Sequence, residues 1–119
     1  MNAVLLISHG SRSAKTKEEV LELIEQLKLK SPHVLFECAF LEIEHPSIPS
    51  GIDLCVSKGA TQITILLNFL NSGRHVDEDI PAIIKEAQIK YPQINFRITK
   101  PVGQHTGIAN LFLDLIHYV

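Results

Sequence analysis

Four of the six histidines fall in the segments that follow short apolar runs, where a loop would carry them. His9 follows Val4 to Ser8, His45 follows Val34 to Leu41 with Glu42 and Glu44 beside it, His75 follows Gln62 to Leu67, and His105 follows Gln93 to Thr99. Imidazole carries protons near neutral pH and binds borderline divalent transition metals such as iron, cobalt or nickel. Two neutral imidazoles and a carboxylate therefore suit proton transfer, or an ion that keeps open positions for exchange. A solvated or backbone-bonded loop histidine explains any one of these positions alone. Several on one edge shift the balance toward a site.

Small residues flank two of the histidines. Gly10-Ser11 follows His9, and Ser72-Gly73 precedes Arg74-His75, so bare backbone N–H groups beside helix starts can approach carboxylates of a ligand. Arg12, Lys15, Arg74 and Lys100 add positive charge to that edge, although each lysine reads equally well as solvated surface. The run from Gly10 to Thr16 has the look of a phosphate loop, but it lacks the second glycine and one residue of spacing before Lys15. A nucleoside triphosphate is therefore a poor fit. Asp77-Glu78-Asp79 reads first as negative charge at a helix start, and second as a feeder for metal ions.

The elements that must position these residues alternate. Gln62 to Leu67 is rich in β-branched residues and reads as a strand buried on both faces. Val4 to Ser8, Val34 to Leu41 and Gln93 to Thr99 read as the other strands. A first helix runs to about Leu29, burying Val20, Leu21, Ile24 and Leu27. A short second helix carries Ile48, Ile52, Cys55 and Val56 and stops at Lys58-Gly59. The third buries Val76, Ile80, Ile83, Ile84 and Ala87, and the last carries Ile108, Leu111, Phe112, Leu115 and Ile116 at helical spacing. Strand and helix alternating four times predict an α/β, flavodoxin-like three-layer sandwich: a four-stranded parallel sheet, order 2-1-3-4, with helices on both faces. His9, Glu42, His75 and His105 then share the carboxyl edge, where open α/β sheets bind ligands. Such a sheet is only about 15 Å across.

The totals bound the partners. The 119 residues suit one domain, and 45% hydrophobic with 20% charged residues is ordinary for a soluble protein. No apolar run is long enough to span a membrane, and no leader precedes Val4, so a cytoplasmic location is expected. Cys38 and Cys55 lack metal-ligand spacing and read as buried, reduced thiols. A net charge of −2 argues against nucleic acid as the main partner.

Leu6 to Arg12, Phe40-Leu41-Glu42 with His45-Pro46-Ser47, Asn71 to Pro81, and Pro101 to His105 together resemble the small class II chelatases, the sirohydrochlorin cobalto-, ferro- and nickelochelatases. The likeness spans nearly the whole chain in order, and the third motif is its specific part. It implies insertion of a divalent metal (Fe, Co or Ni, as substrate) into sirohydrochlorin or a similar tetrapyrrole, without ATP and without an iron–sulfur cluster. His9 and His75 would be metal ligands and proton acceptors, with Glu42 (or Glu44 close by) orienting a histidine or relaying a proton. Gly10, Ser11, Arg12, Ser72, Gly73 and Arg74 would hold the macrocycle's carboxylates, and His105 would line the cleft or merely start a helix. Long members carry two such halves. Residues 1–119 correspond to one half, which implies the short form that pairs as a homodimer in siroheme or cobalamin biosynthesis. The chain has neither a histidine-rich insertion nor a C-terminal cysteine cluster, and Gly73-Arg74-His75 leans toward the iron enzymes.

Two rivals follow from the same residues. A histidine phosphatase would place an arginine directly before the first-strand histidine, and Ser8 stands there. A non-catalytic metal carrier would use the same histidines and bind ions without turnover.

Overall fold

A computed structural model describes residues 1–117, and the last two positions of the chain lie outside it. Strands β1 (Asn2–Ser8), β2 (Leu35–Phe40), β3 (Gln62–Leu67) and β4 (Asn95–Ile98) form one parallel sheet in the order β2-β1-β3-β4. Helices α1 (Ala14–Lys30), α2 (Ile48–Ser57), α3 (Ile80–Lys90) and α4 (Ile108–His117) alternate with them. The expected architecture and strand order hold. The register pairs Ser8 with Phe40 and Ile7 with Leu67, so the loops after β1, β2 and β3 leave the sheet at one level.

The alternating side chains of β1 explain both layers. Ala3, Leu5 and Ile7 face α2 and α3, where they meet Ile48, Ile52, Cys55, Val76, Ile80 and Ile84. Leu6 faces the other way, toward Val20 and Ile24 of α1 and Phe36, Cys38 and Phe40 of β2. Gly51 lets α2 sit close on the sheet, since a Cβ there would lie 3.0 Å from Ala39 and Leu5. Ser47 caps α2 by accepting the Ser50 N–H at 3.3 Å. Both cysteines are buried free thiols, and burial pushes Cys55 up to about 11, so it offers no thiolate near neutral pH.

Three expectations need correction. β3 is not buried on both faces: Ile63, Ile65 and Leu67 are buried, but Gln62, Thr64 and Leu66 are only half-buried. The cause is α4, whose main neighbour is the short 3-10 turn Val102–Gln104 before it rather than the sheet. Consequently Leu111, Phe112, Leu115 and Ile116 are at least half exposed. Their spacing specified a helix correctly but could not specify what covers it. Leu21 of α1 is likewise exposed at 44%, because α1 lies over β1 and β2 and turns this side chain outward. The third helix also begins differently from expectation. Residues His75–Asp79 form a π-helical turn, and α3 proper starts at Ile80 with Pro81 in its first turn.

Candidate active site

The first half of the site is built by two loops laced together beyond their strands. After β1 and β2 end, Leu41 N–H still donates to Ser8 O at 2.9 Å and Glu42 N–H to His9 O at 3.1 Å. This close approach requires Gly10, whose φ is +104° and where a Cβ would lie 1.9 Å from the Glu42 carbonyl oxygen. The lacing brings His9 Nε2 to 2.9 Å from Glu42 Oε1. Ile43 sits in the left-handed region at φ +72°, turning the chain between the two carboxylates. Glu44 is thereby sent elsewhere: its Oε1 accepts the Ser11 N–H at 2.9 Å, while Oε2 is buried without a protein partner among the described residues. Glu42 is therefore the carboxylate that faces a histidine.

Beneath His9, the buried Ser8 hydroxyl accepts from Asn68 Nδ2 at 3.0 Å, and Asn68 N–H extends the β1–β3 ladder to Ile7 O at 2.9 Å. That polar pair holds the first and third loops in register. The second half of the site stands on the third loop. Its π-helical turn raises His75 so that Nδ1 lies 2.8 Å from Asp79 Oδ2. The rings of His9 and His75 meet across the gap with centroids 5.2 Å apart, tilted by 45°. Both histidines are close to half exposed, at 47% and 46% of their side-chain surface, so a ligand can reach them. The contacts to Glu42 and Asp79 are exposed ones, worth at most about 1 kcal/mol each; their consequence is orientation rather than stability.

The remaining expected residues sort by what they touch. Arg12 is exposed, and Arg74 reaches Glu78 at 3.7 Å from an 81% exposed position. Gly73 has open space where a Cβ would stand. Ser72 accepts from Gln104 Nε2 at 2.7 Å, which ties the third loop to the turn after β4. The Ser11 N–H, expected to meet a ligand carboxylate, is occupied by Glu44. His105 Nδ1 accepts the Gly107 N–H at 2.8 Å, so this side chain shapes the turn before α4. The sequence reading missed Asp79 as a histidine partner, Asn68 as the link under His9, and Gly103, where a Cβ would lie 1.7 Å from Leu70 O. Of these only Asp79 carried a signal, its i,i+4 spacing from His75.

Among the described residues, no group of three or more His, Cys, Asp or Glu side chains is arranged to hold an ion. Each histidine instead has one ring nitrogen on a carboxylate, and the pair presents two imidazoles to one opening. A cavity of about 440 Å³ between α2 and α3, lined by Ile52, Asp53, Ile83, Lys90 and Tyr91 among others, contains none of these residues. Imidazoles arranged in this way can accept protons and can bind a borderline divalent ion.

A parallel 2-1-3-4 sheet with paired histidines on its carboxyl edge places the chain among α/β proteins that handle ligands at that edge. Residues 3–118 match the CbiX family, and the chain belongs to it. It is similar to the sirohydrochlorin cobaltochelatase of Priestia megaterium, at 39% identity over 106 residues covering 88% of this chain and 34% of that protein. It is also similar to the sirohydrochlorin cobaltochelatase of Methanococcoides burtonii, at 32% identity over 119 residues covering 93% of this chain and 91% of that protein. A solved structure of a sirohydrochlorin chelatase from Bacillus subtilis subspecies spizizenii, in complex with cobalt, superposes with a TM-score of 0.89 at 30% identity. That match covers 99% of this chain and 50% of that one. The chain thus spans about a third of the first relative's length and half of the solved structure's.

Proposed function

We propose that the chain inserts a divalent metal (Fe, Co or Ni) into sirohydrochlorin or a similar tetrapyrrole without ATP, using His9 and His75 as metal ligands and proton acceptors. The observation that carries this reading is the pair of imidazoles 5.2 Å apart at the open carboxyl edge of the sheet. The similarity to sirohydrochlorin chelatases supports the substrate class.

The atoms balance simply. One divalent ion enters, two pyrrole N–H protons leave, and no electron moves. Two imidazoles on one side of the macrocycle match the two protons, and Glu42 at 2.9 Å from His9 Nε2 orients that ring and relays its proton to solvent. The macrocycle's carboxylates are held by backbone N–H groups near Gly10 and Ser72-Gly73, with Arg12 and Arg74 as the nearby cations. Glu44 already fills the Ser11 amide, so a ligand carboxylate there has to displace it. The third-loop side is therefore the stronger anchor.

Residues 1–119 act as one chelatase half-domain, and two copies pair as a homodimer. The exposed apolar face of α4 supports this pairing: each such side chain gains about 1.5–3 kcal/mol when buried. No helix among the described residues is long and apolar enough to cross a membrane, and two buried free thiols fit a reducing, cytoplasmic compartment.

The test is an anaerobic incubation with sirohydrochlorin and Co²⁺, Fe²⁺ or Ni²⁺ in turn, followed by absorbance. Rates above the uncatalysed reaction are expected, and their ratio identifies the preferred metal. Tight metal binding with no rate above background favours a carrier instead.

A further inference from the structure

The two histidines are tied to carboxylates through opposite ring nitrogens. His9 meets Glu42 through Nε2 at 2.9 Å, whereas His75 meets Asp79 through Nδ1 at 2.8 Å. A carboxylate offers only acceptors, so the hydrogen of each contact sits on the imidazole. For a neutral His75 this puts the hydrogen on Nδ1 and the lone pair on Nε2. His9 has the reverse arrangement. Without a partner, a neutral histidine side chain favours hydrogen on Nε2, so the His75 form has to be imposed.

The imposing group is local. Asp79 lies four residues after His75 on the same π-helical turn, whose last bond runs from Ile80 N–H to His75 O. Insertions of this kind into helices recur at functional sites. The side chains of His75 and Asp79 are 46% and 42% exposed, so their contact does little for the stability of the fold. Negative charge at a helix start does not distinguish Asp79, because Asp77 and Glu78 supply it on the same turn.

We infer that Asp79 is a positioning residue for His75, fixing its Nδ1–H tautomer and ring angle so that Nε2 is bare toward an incoming ion. The catalytic consequence rests on the chelatase reading; the tautomer does not. Removing the carboxylate behind a ligating histidine commonly costs 10- to 100-fold in metal affinity or activity, and a loss of roughly that size is expected here.

The experiment uses the whole chain, metal-free and labelled with ¹⁵N-histidine, and records long-range ¹H–¹⁵N correlations at one alkaline pH. Wild-type His75 is expected to show a protonated Nδ1 and a bare Nε2. Asp79→Ala should move the hydrogen to Nε2 and weaken Co²⁺ binding about 10- to 100-fold. Asp79→Asn, whose amide oxygen still accepts from Nδ1, should keep the wild-type tautomer and most of the affinity. Asp77→Ala removes the same charge two positions away and should change neither. A wild-type His75 protonated on Nε2, or an Asp79→Ala spectrum identical to wild type, overturns the inference. So does an equal loss of Co²⁺ binding in Asp77→Ala. A correct tautomer in a protein that inserts no metal keeps the positioning role and removes the chelatase reading instead.

Discussion

His9 and His75 face one opening but are held there by different means. His9 depends on tertiary structure: the lacing of the β1 and β2 loops, the glycine that permits it, and a partner carboxylate 33 positions away at Glu42. His75 depends on one turn of helix and a partner four positions on. Half of the site is thus written locally, and the other half exists only once β1 and β2 have paired and their loops have met. Damage to the fold should reach His9 first, while His75 should tolerate neighbouring changes that leave its turn intact.

The sharpest break removes either ring. His9→Ala and His75→Ala should each lower the insertion rate about 10²- to 10⁴-fold, the usual contribution of a positioned proton acceptor, with the unfolding midpoint nearly unchanged. Retained activity in either variant would take that residue out of the mechanism. Next in size is a pair of glycine substitutions that contrasts the two halves. Gly10→Ala forces a Cβ against the Glu42 carbonyl at φ +104° and should destabilise by about 1–3 kcal/mol in thermal or denaturant unfolding. Gly73→Ala, on the His75 side, meets nothing within 4 Å and should stay within about 0.5 kcal/mol of wild type. Equal costs for the two would show that the lacing is not what distinguishes His9.

A smaller effect than that of Gly10→Ala lies in a region remote from both histidines. Asp53 accepts from the Tyr91 hydroxyl at 2.6 Å and Lys90 at 3.1 Å, and these contacts, Tyr91 foremost, lower its pKa. A carboxyl whose pKa is lower folded than unfolded adds stability above its ordinary value of about 3.9, and that stability is lost as pH falls through the folded value. Its side chain is 46% exposed, so after solvent screening Asp53→Asn should cost no more than about 1 kcal/mol at pH 7. The difference from wild type should close at the acid end of a pH series, with metal insertion unaffected throughout. A gap that widens in acid would reverse the sign argued here.

The sheet was legible because its signals are local and periodic: short apolar runs ended by small or polar residues marked all four strands, and their alternation with helices predicted the order that the sheet adopts. The placement of His9, Glu42 and His75 on one edge was legible because each lies in the segment that follows a strand whose level in the sheet is fixed by register. The choice between Glu42 and Glu44 was not, since it turns on Ile43 adopting φ +72°, which no side-chain pattern signals. Gly103 was equally silent, because its role is a backbone approach to Leu70 across two loops. α4 shows the limit from the other side. Its amphipathic pattern demanded a buried face, yet periodicity carries no information about which surface supplies the cover.

The claim beneath all of this is that two imidazoles act as one unit. It is tested most directly by a double-mutant cycle on anaerobic Co²⁺ insertion into sirohydrochlorin, comparing wild type, His9→Ala, His75→Ala and the double variant. Groups that serve one step together are strongly non-additive, so either single change should cost nearly as much as both. Losses that simply multiply, or a wild-type rate no faster than the uncatalysed reaction, would contradict it.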